Sequence, residues 1–240
     1  MIKISILLPT YNCENTIIST LKSIKWCDEI LVVDSFSNDS TLDIVKEYGA
    51  NIIQHEYINS ARQKNWALQY CTHDWVFQID SDETLEEKAE AIIRDAINNA
   101  GENTHCFKMP RKNHVLGKWV KYGGLYPDWE YRLFRKEYGK WWDREVHSRI
   151  VVSGGIGTLD TPLIHHGMPN ISKQLSNLDR YTRYEADELK KKNKQFLEVN
   201  SKKENVSGWV LTTSFGSSII SGLLVGLLVE YFFEINPFCL

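Results

Sequence analysis

The stretch Trp75-Val-Phe-Gln-Ile-Asp80-Ser-Asp82-Glu-Thr84 decides how the rest of the chain is read. Trp75 to Ile79 is a short apolar run with β-branched and aromatic residues, the composition of a buried strand. Two carboxylates one residue apart follow where that strand should leave its sheet. Asp80 and Asp82 repel one another and lose hydration together, so they require a hard divalent cation or a set of hydrogen-bond donors. In an open α/β sheet the carboxyl ends of strands are also where ligands bind. A second reading is compatible with the first: Leu85 to Ala100 has a helical pattern, and Asp, Thr and Glu suit its start, so one acid can cap while the other ligates.

Upstream, Lys3-Ile-Ser-Ile-Leu-Leu8 is an apolar run ended by Pro9-Thr-Tyr-Asn12, and Ile17, Ile18, Leu21 and Ile24 then recur at helical spacing. Ile30-Leu-Val-Val33 starts the pattern again, with a strand ending at Asp34, a polar loop to Ser40, and a helix carrying Leu42, Val45 and Tyr48 inward before Gly49. Asn51 to Gln54 is a third strand, and Asn59 to Cys71 a third helix with Ala61, Ala67 and Leu68 on its face. This alternation predicts an α/β fold: a mostly parallel sheet flanked by helices, with right-handed crossovers bringing each strand's carboxyl end to one edge. That edge collects Thr10, Asn12, Asp34, Asp80 and Asp82 from three separate loops. An Asp after a strand can accept from an imide or a ribose hydroxyl, and a carboxylate pair can hold a cation that neutralises a diphosphate. Arg62 reads as a phosphate contact or a solvated charge, and Lys64 as facing water.

Four motifs then carry a resemblance: Ile6-Leu-Leu-Pro-Thr-Tyr-Asn12; Leu31-Val-Val-Asp34 with Asp39-Ser-Thr41; Ala61-Arg62 with Asn65; and Gln78-Ile-Asp80-Ser-Asp82. In this order they resemble the nucleotide-sugar domain of inverting family 2 glycosyltransferases. Gly123-Gly-Leu-Tyr-Pro-Asp128-Trp-Glu-Tyr-Arg132-Leu-Phe-Arg135, Val146-His147 and His165-His166 look like the subgroup that adds sugars to the lipopolysaccharide core or related bacterial glycans. The resemblance implies a GT-A (Rossmann-like) fold, a UDP-sugar donor and a divalent metal, Mg or Mn. It implies that Thr10 and Asp34 contact the uridine, that Arg62 sits near uracil or phosphate, that Asp80 lies at the ribose and the metal, and that Asp82 lies on the metal. Substrate contacts are further expected at Pro9, Asn12, Glu14, Asn65, Ser81, Arg132 and His147. The second loop reads Asp34-Ser-Phe-Ser where many members carry another acid, which leaves uracil recognition to Asp34.

After the strand His105 to Met109 the chain turns aromatic and basic, with Trp119, Tyr122, Tyr126, Trp129, Tyr131, Trp141 and Trp142 beside Arg111, Arg132, Arg135 and Arg144. Aromatic faces pack on sugar C–H groups and Arg pairs with phosphate or carboxylate, so the cluster suggests an anionic glycan or a lipid-linked sugar as acceptor; the alternative is a small satellite core. Inverting transfer needs a base for the attacking hydroxyl. Asp128 is the candidate, after Gly123, Gly124 and Pro127 in what should be a shaped loop, with Glu130 as rival. His147, His165 and His166 read as metal, diphosphate or acceptor contacts, or as structural histidines. The expected division is a nucleotide-sugar half over residues 1–104, an acceptor half over 105–200, and an apolar tail over 201–240.

Tyr181, Tyr184, Ala186 and Leu189 suggest an amphipathic helix that runs toward the charged stretch Lys190 to Lys194. From Val206 to Val229 no residue is charged, which exceeds the roughly 20 residues that cross a bilayer, and Gly222 and Gly226 have the small-xxx-small spacing. Lys202 and Lys203 before it, and Glu230 and Glu234 after it, place the preceding chain on the cytoplasmic side. Thr212, Thr213, Ser214, Ser217, Ser218 and Ser221 suit an interfacial hairpin. The expectation is a membrane-associated helical tail that holds the enzyme at the inner face of the plasma membrane.

The 240 residues have a formal net charge of −3, which excludes a broad basic field for nucleic acid. Cys13, Cys27, Cys71, Cys106 and Cys239 form no C-x-x-C pair, and the chain enters strand-like sequence at once. This reads as a reducing compartment, no secretory leader and no zinc site. Three rivals remain. Asp80-Ser-Asp-Glu-Thr84 fits the D-x-D-x-T of haloacid-dehalogenase-type phosphatases, but follows the fourth strand instead of the first. A nucleotidyltransferase would want a Gly-rich basic loop after the first strand, and a non-catalytic sugar-binding protein would turn over no donor.

Overall fold

The computed structural model describes residues 2–143 and 149–168, with scattered positions between 170 and 190. The chain forms two compact units, residues 1–171 and 172–240. In the second unit the described residues, Ala186 among them, are helical. His147, Tyr181, Tyr184, Leu189 and the apolar tail from 201 to 240 lie outside the described residues. Among those described, no helix is long and apolar enough to cross a membrane.

The first unit opens with the predicted alternation: β1 (Ile4–Thr10), α1 (Ile17–Ile24), β2 (Glu29–Asp34), α2 (Thr41–Glu47), β3 (Asn51–Gln54), α3 (Ser60–Leu68) and β4 (Trp75–Gln78). β3, β2, β1 and β4 lie side by side in that order and all parallel. The strands are apolar on both faces because both faces are covered. Ile6, Leu8, Val32 and Phe77 pack in one core with Ile17 and Leu21 of α1 and Val45 of α2. Leu7, Leu31, Val33 and Val76 pack in a second core with Ala61, Ala67 and Leu68 of α3. Full burial of each large side chain contributes roughly 1.5–3 kcal/mol. Cys71 and Cys106 belong to this interior, and burial pushes both thiols up to about 12.

The sequence reading fails just after β4. Helix was expected from Leu85, but Glu83–Leu85 is a strand, β5, and the helix α4 (Ala89–Asn98) begins four residues later, with Lys88 at its N-cap. The expected caps are therefore excluded: Asp80, Asp82 and Thr84 sit too far upstream to meet the first amides of α4. β5 exists because it finds a partner far along the chain, pairing antiparallel with β12 (Leu163–Met168) through Glu83↔His165. Local pattern carries no trace of such a pairing.

The remaining strands extend the sheet. β6 (Thr104–Val115) is long and runs beside β8 (Asp128–Arg135), and β8 closes onto β4, antiparallel in both cases. The order is β3-β2-β1-β4-β8-β6-β12-β5. β11 (Gly155–Thr158) and β12 flank β6 in parallel, and β7 (Lys118–Trp119) takes the side of β6 beyond the start of β8. β9 (Gly139–Trp141) and β10 (Ile150–Val152) form a separate ribbon. Phe107 faces Leu133 whereas Lys108 faces Tyr131, so Arg132 is the extra residue of a bulge in β8. A bulge re-aims the side chain it carries.

Candidate active site

The carboxyl ends of β2, β1 and β4 are neighbours, so Asp34, Thr10 and the Asp80–Asp82 turn stand along one rim. At its β2 end, Asp34 is wholly buried. One of its oxygens accepts from Thr10 Oγ1 at 2.9 Å and Ser37 Oγ at 2.5 Å, the other from the Ser37 amide at 2.8 Å and Gln54 Nε2 at 3.2 Å. A carboxylate has about four lone-pair sites, and here all are taken by the protein. Asp34 and Thr10, expected at the base, are buried here and shape the loop.

The two loops are stapled to each other. Asn12 donates its amide to Ser37 Oγ at 2.9 Å and accepts from the Asn38 amide, and Glu14 accepts from the Ser40 amide at 3.0 Å. Asn12 and Glu14 thus hold loop to loop, and Pro9 lies in β1 opposite Val33. What faces outward was missed in the sequence: the rings of Tyr11 (62 % exposed) and Phe36 (58 %). Phe36 has φ 58, a left-handed conformation that costs a bulky residue roughly 1–2 kcal/mol. A non-glycine at positive φ next to Asp34 was the signal available only from the backbone.

At the β4 end, Asp80 is bracketed. Lys64 Nζ lies 3.2 Å from Oδ1, Gln78 Nε2 donates to the same oxygen at 2.8 Å, and Arg132 reaches Oδ2 at 3.3 and 3.4 Å. Burial opposes its charge, but Lys64 and Arg132 outweigh it and hold the carboxyl well below the usual range. Lys64 is 8 % exposed, which corrects the expectation that it faces water: α3 sits over the sheet and aims it inward. Arg132, expected at the substrate, is 4 % exposed and donates to Gln78 Oε1 and to Glu83 Oε1 at 2.6 Å.

Glu83, which sequence reading took only as a helix-start acid, is the hub of this cluster. It is fully buried, accepts the Asp80 amide at 2.9 Å, and has Arg111 Nη1 at 3.7 Å besides Arg132. Burial pushes its carboxyl up even so. Asp82 points elsewhere, with His165 Nε2 at 3.7 Å from Oδ2. Burial disfavours the charged His165 ring, but the hydrogen bond and charge of Asp82, with Glu83, outweigh it and raise its pKa. The Ser81 carbonyl accepts from Thr20 Oγ1 at 3.1 Å, tying the turn to α1.

Arg62 and Asn65, expected to meet substrate, bond here to the chain at and after β9. Arg62 Nε pairs with Asp143 at 2.9 Å, and Asn65 exchanges hydrogen bonds with the Trp141 backbone at 2.8 and 2.9 Å. Both bind the end of β9 to α3. The cation that α3 supplies to the rim is Lys64, two residues on.

Asp128 opens β8 opposite Arg111. Arg111 Nε and Nη2 donate to Oδ2 at 2.9 and 2.6 Å, and Asn113 Nδ2 reaches the same atom at 3.1 Å. Oδ1 takes part in none of these bonds. Glu130, two residues on, has Oε1 at 3.1 Å from Arg111 and Oε2 at 4.0 Å from Arg132. Burial would raise the Asp128 pKa, but the Arg111 charge and the Asn113 hydrogen bond outweigh it and lower it. Gly123 and Gly124 upstream have φ 72 and 80, the backbone that only glycine adopts cheaply.

Among the described residues Lys64, Arg111 and Arg132 thus face Asp80, Glu83, Asp128 and Glu130, and Asp82 faces His165. Among the described residues no three His, Cys, Asp or Glu side chains converge as a metal cage. Asp80, expected at the metal, faces Lys64 and Arg132 here, and Asp82 stands beside His165. One carboxylate with further positions left to phosphate oxygens and water is the usual manner of holding Mg²⁺, and the residues present fit it.

The family model described as Glycosyl transferase family 2 matches residues 5–156. The lipopolysaccharide core biosynthesis glycosyltransferase LpsC of Rhizobium meliloti is 26 % identical over 175 residues, 70 % of this chain and 64 % of that protein. The chain therefore spans just under two thirds of this relative's length. The UDP-Glc:alpha-D-GlcNAc-diphosphoundecaprenol beta-1,3-glucosyltransferase WfgD of Escherichia coli is 30 % identical over 129 residues, 49 % of this chain and 50 % of that one. Among solved structures, S. aureus TarS 1-349 in complex with UDP-GlcNAc aligns with a TM-score of 0.44 and 23 % identity, covering 56 % of this chain and 47 % of that one.

Proposed function

The chain belongs to glycosyl transferase family 2, and from that premise we propose that it moves a sugar from a UDP-linked donor to a bacterial envelope glycan or glycolipid, with inversion and with a divalent cation. The observation that carries the reading is the half-satisfied Asp128. Its Oδ2 is fixed by Arg111 and Asn113 while no bond among the described residues reaches Oδ1, and it is joined through Arg111, Glu83 and Arg132 to Asp80 at the end of β4.

In this reading Asp128 Oδ1 takes the proton of the attacking acceptor hydroxyl. Its lowered pKa keeps it deprotonated at neutral pH. Glu130, with both oxygens facing arginines, is the weaker base candidate. Asp82, with His165 beside it, would hold Mg²⁺ or Mn²⁺, which when bound neutralises the leaving diphosphate. Lys64 adds fixed charge next to that diphosphate. Asp34 and Thr10 shape the base-binding loops, and the Tyr11 ring offers the face on which a base stacks. The names of the two relatives, a core lipopolysaccharide transferase and an enzyme for a diphosphoundecaprenol-linked sugar, support a lipid-linked acceptor at the inner membrane face. The family match favours transfer over the D-x-D-x-T phosphatase reading, in which Asp80 would be the nucleophile.

The test is Asp128→Asn against Asp82→Ala. Asp128→Asn should keep metal-dependent thermal stabilisation by UDP and lose transfer by at least about 10²-fold, the low end for a general base. Asp82→Ala should lose both. Near-normal turnover in Asp128→Asn would remove the base assignment. Absence of stabilisation by any nucleotide sugar would remove the transferase reading for the wild-type chain.

A further inference from the structure

Between Thr104 and Pro127 the chain carries Lys108, Arg111, Lys112, Lys118 and Lys121 and no Asp or Glu, although the whole chain has a net charge of −3. Much of this stretch is the end of β6, β7 and the loop that follows: β8 begins opposite Arg111, and β6 continues to Val115 with β12 along its other side. The turn to β7 is two residues, Leu116 (φ 51) and Gly117 (φ 79). Both φ values are positive, as in the tightest hairpin turns, where Asn, Asp or Gly suits the first position. Leu there is strained, and its side chain stays exposed, Leu116 being 40 % exposed. Tyr122, just past β7, is 84 % exposed.

The aromatic rings behind this tip have lysines over them. Lys112 and Lys121 place their ammonium groups 4.8 and 4.7 Å from the Trp119 ring centre, Tyr126 meets the same ring edge-on at 5.2 Å, and Lys108 lies 4.8 Å over Trp129. Indole bodies with lysines drawn along them, beneath an outward Leu and Tyr, have the amphipathic character of a water–lipid boundary. We propose that the β6–β7 hairpin, through Leu116, Lys118, Lys121 and Tyr122, docks on an anionic bilayer surface and so sets the Asp128 rim against the membrane. Lysines near such a surface attract it at about 1 kcal/mol each, and a strained exposed Leu gains there the burial that the fold denies it. The assignment is independent of which sugar moves, because docking requires no turnover.

The test is co-sedimentation of the full chain with vesicles of phosphatidylcholine alone or mixed with phosphatidylglycerol. Lys118→Gln with Lys121→Gln should weaken binding to the anionic vesicles by about fivefold per lysine and leave binding to phosphatidylcholine unchanged. Leu116→Ser with Tyr122→Ser should weaken both. Any contribution from elsewhere in the chain is common to wild type and variants and cancels in the ratio. Both pairs must melt as the wild type does, which the exposure of all four residues favours; a pair that does not is replaced by single substitutions. Binding of all such variants to anionic vesicles within about twofold of wild type overturns the proposal. So does a lysine variant that binds vesicles normally but loses affinity for a water-soluble lipopolysaccharide core oligosaccharide in calorimetry, because the hairpin would then read a glycan.

Discussion

The two halves of the sheet are held together differently. From β3 to β4 the strands are cemented by wholly buried apolar side chains on both faces, Leu7, Val33, Val76 and Phe77 among them. From β8 to β5 the strands share those cores through Leu133, Phe134, Met109 and Leu163 and add at the rim a chain of charges, in which Arg132 on β8 and Arg111 on β6 both pair with Glu83 on β5. Apolar packing tolerates small errors of position, whereas a buried carboxylate is costly unless its donors are in place. The second half therefore fixes geometry where chemistry is proposed, and the first supplies the stability on which that geometry rests.

Removing one member from each half separates the two roles with the largest effects. Phe77→Ala should destabilise by about 3–5 kcal/mol through lost burial and a cavity, and Arg132→Met by a similar amount because Glu83 is left buried without its main partner. Adding Glu83→Gln to Arg132→Met should recover part of that loss in a urea titration, while adding it to Phe77→Ala should simply sum. Equal behaviour of the two double variants would show that the charge chain is no unit and would break the comparison.

The same contrast explains what the sequence made legible. Apolar runs with helical spacing between them located β1 to β4 and α1 to α3 to within a few residues, since each run's neighbours are the next elements along the chain. The convergence of Thr10, Asp34, Asp80 and Asp82 on one edge followed from that topology. β5 and the bulge at Arg132 were not legible, because each depends on a partner strand some 25 to 80 residues away: Glu83 on His165, and Arg132 on Phe107 and Lys108. Lys64 was misread for a related reason. Charge on a helix near the surface is usually solvated, and only the position of α3 over the end of β4 turns this one toward Asp80. The one-sided bonding of Asp128 likewise needs the β6–β8 register to bring Arg111 and Asn113 to its Oδ2.

A finer test compares the two basic residues of α3. Lys64→Met should weaken UDP binding about tenfold or more, as loss of a buried charge-assisted contact does, and should raise the Asp80 pKa. Arg62→Met should change UDP affinity by about twofold at most, because its pair with Asp143 is half exposed and exposed pairs contribute little. The reverse order, read by calorimetry, would return Arg62 to the donor site and make its bond to Asp143 a resting-state contact.

The smallest effect is a shift along the pH axis. The Asp128 carboxyl lies below its ordinary value because Arg111 and Asn113 overcome the opposing effect of burial. A depressed pKa means that the deprotonated base persists as pH falls, so the acid limb of kcat/KM in the wild type should lie below the ordinary carboxylate value of 3.8. Arg111→Gln removes the favourable charge and leaves burial in place, so the limb should move upward and transfer should be lost at a higher pH than in the wild type. The plateau near neutral pH should fall less than in Asp128→Asn, since the carboxylate is still present. A limb that stays where it was would mean that the titrating group is not Asp128, and Glu130, which also loses Arg111 in this variant, would fail the same test.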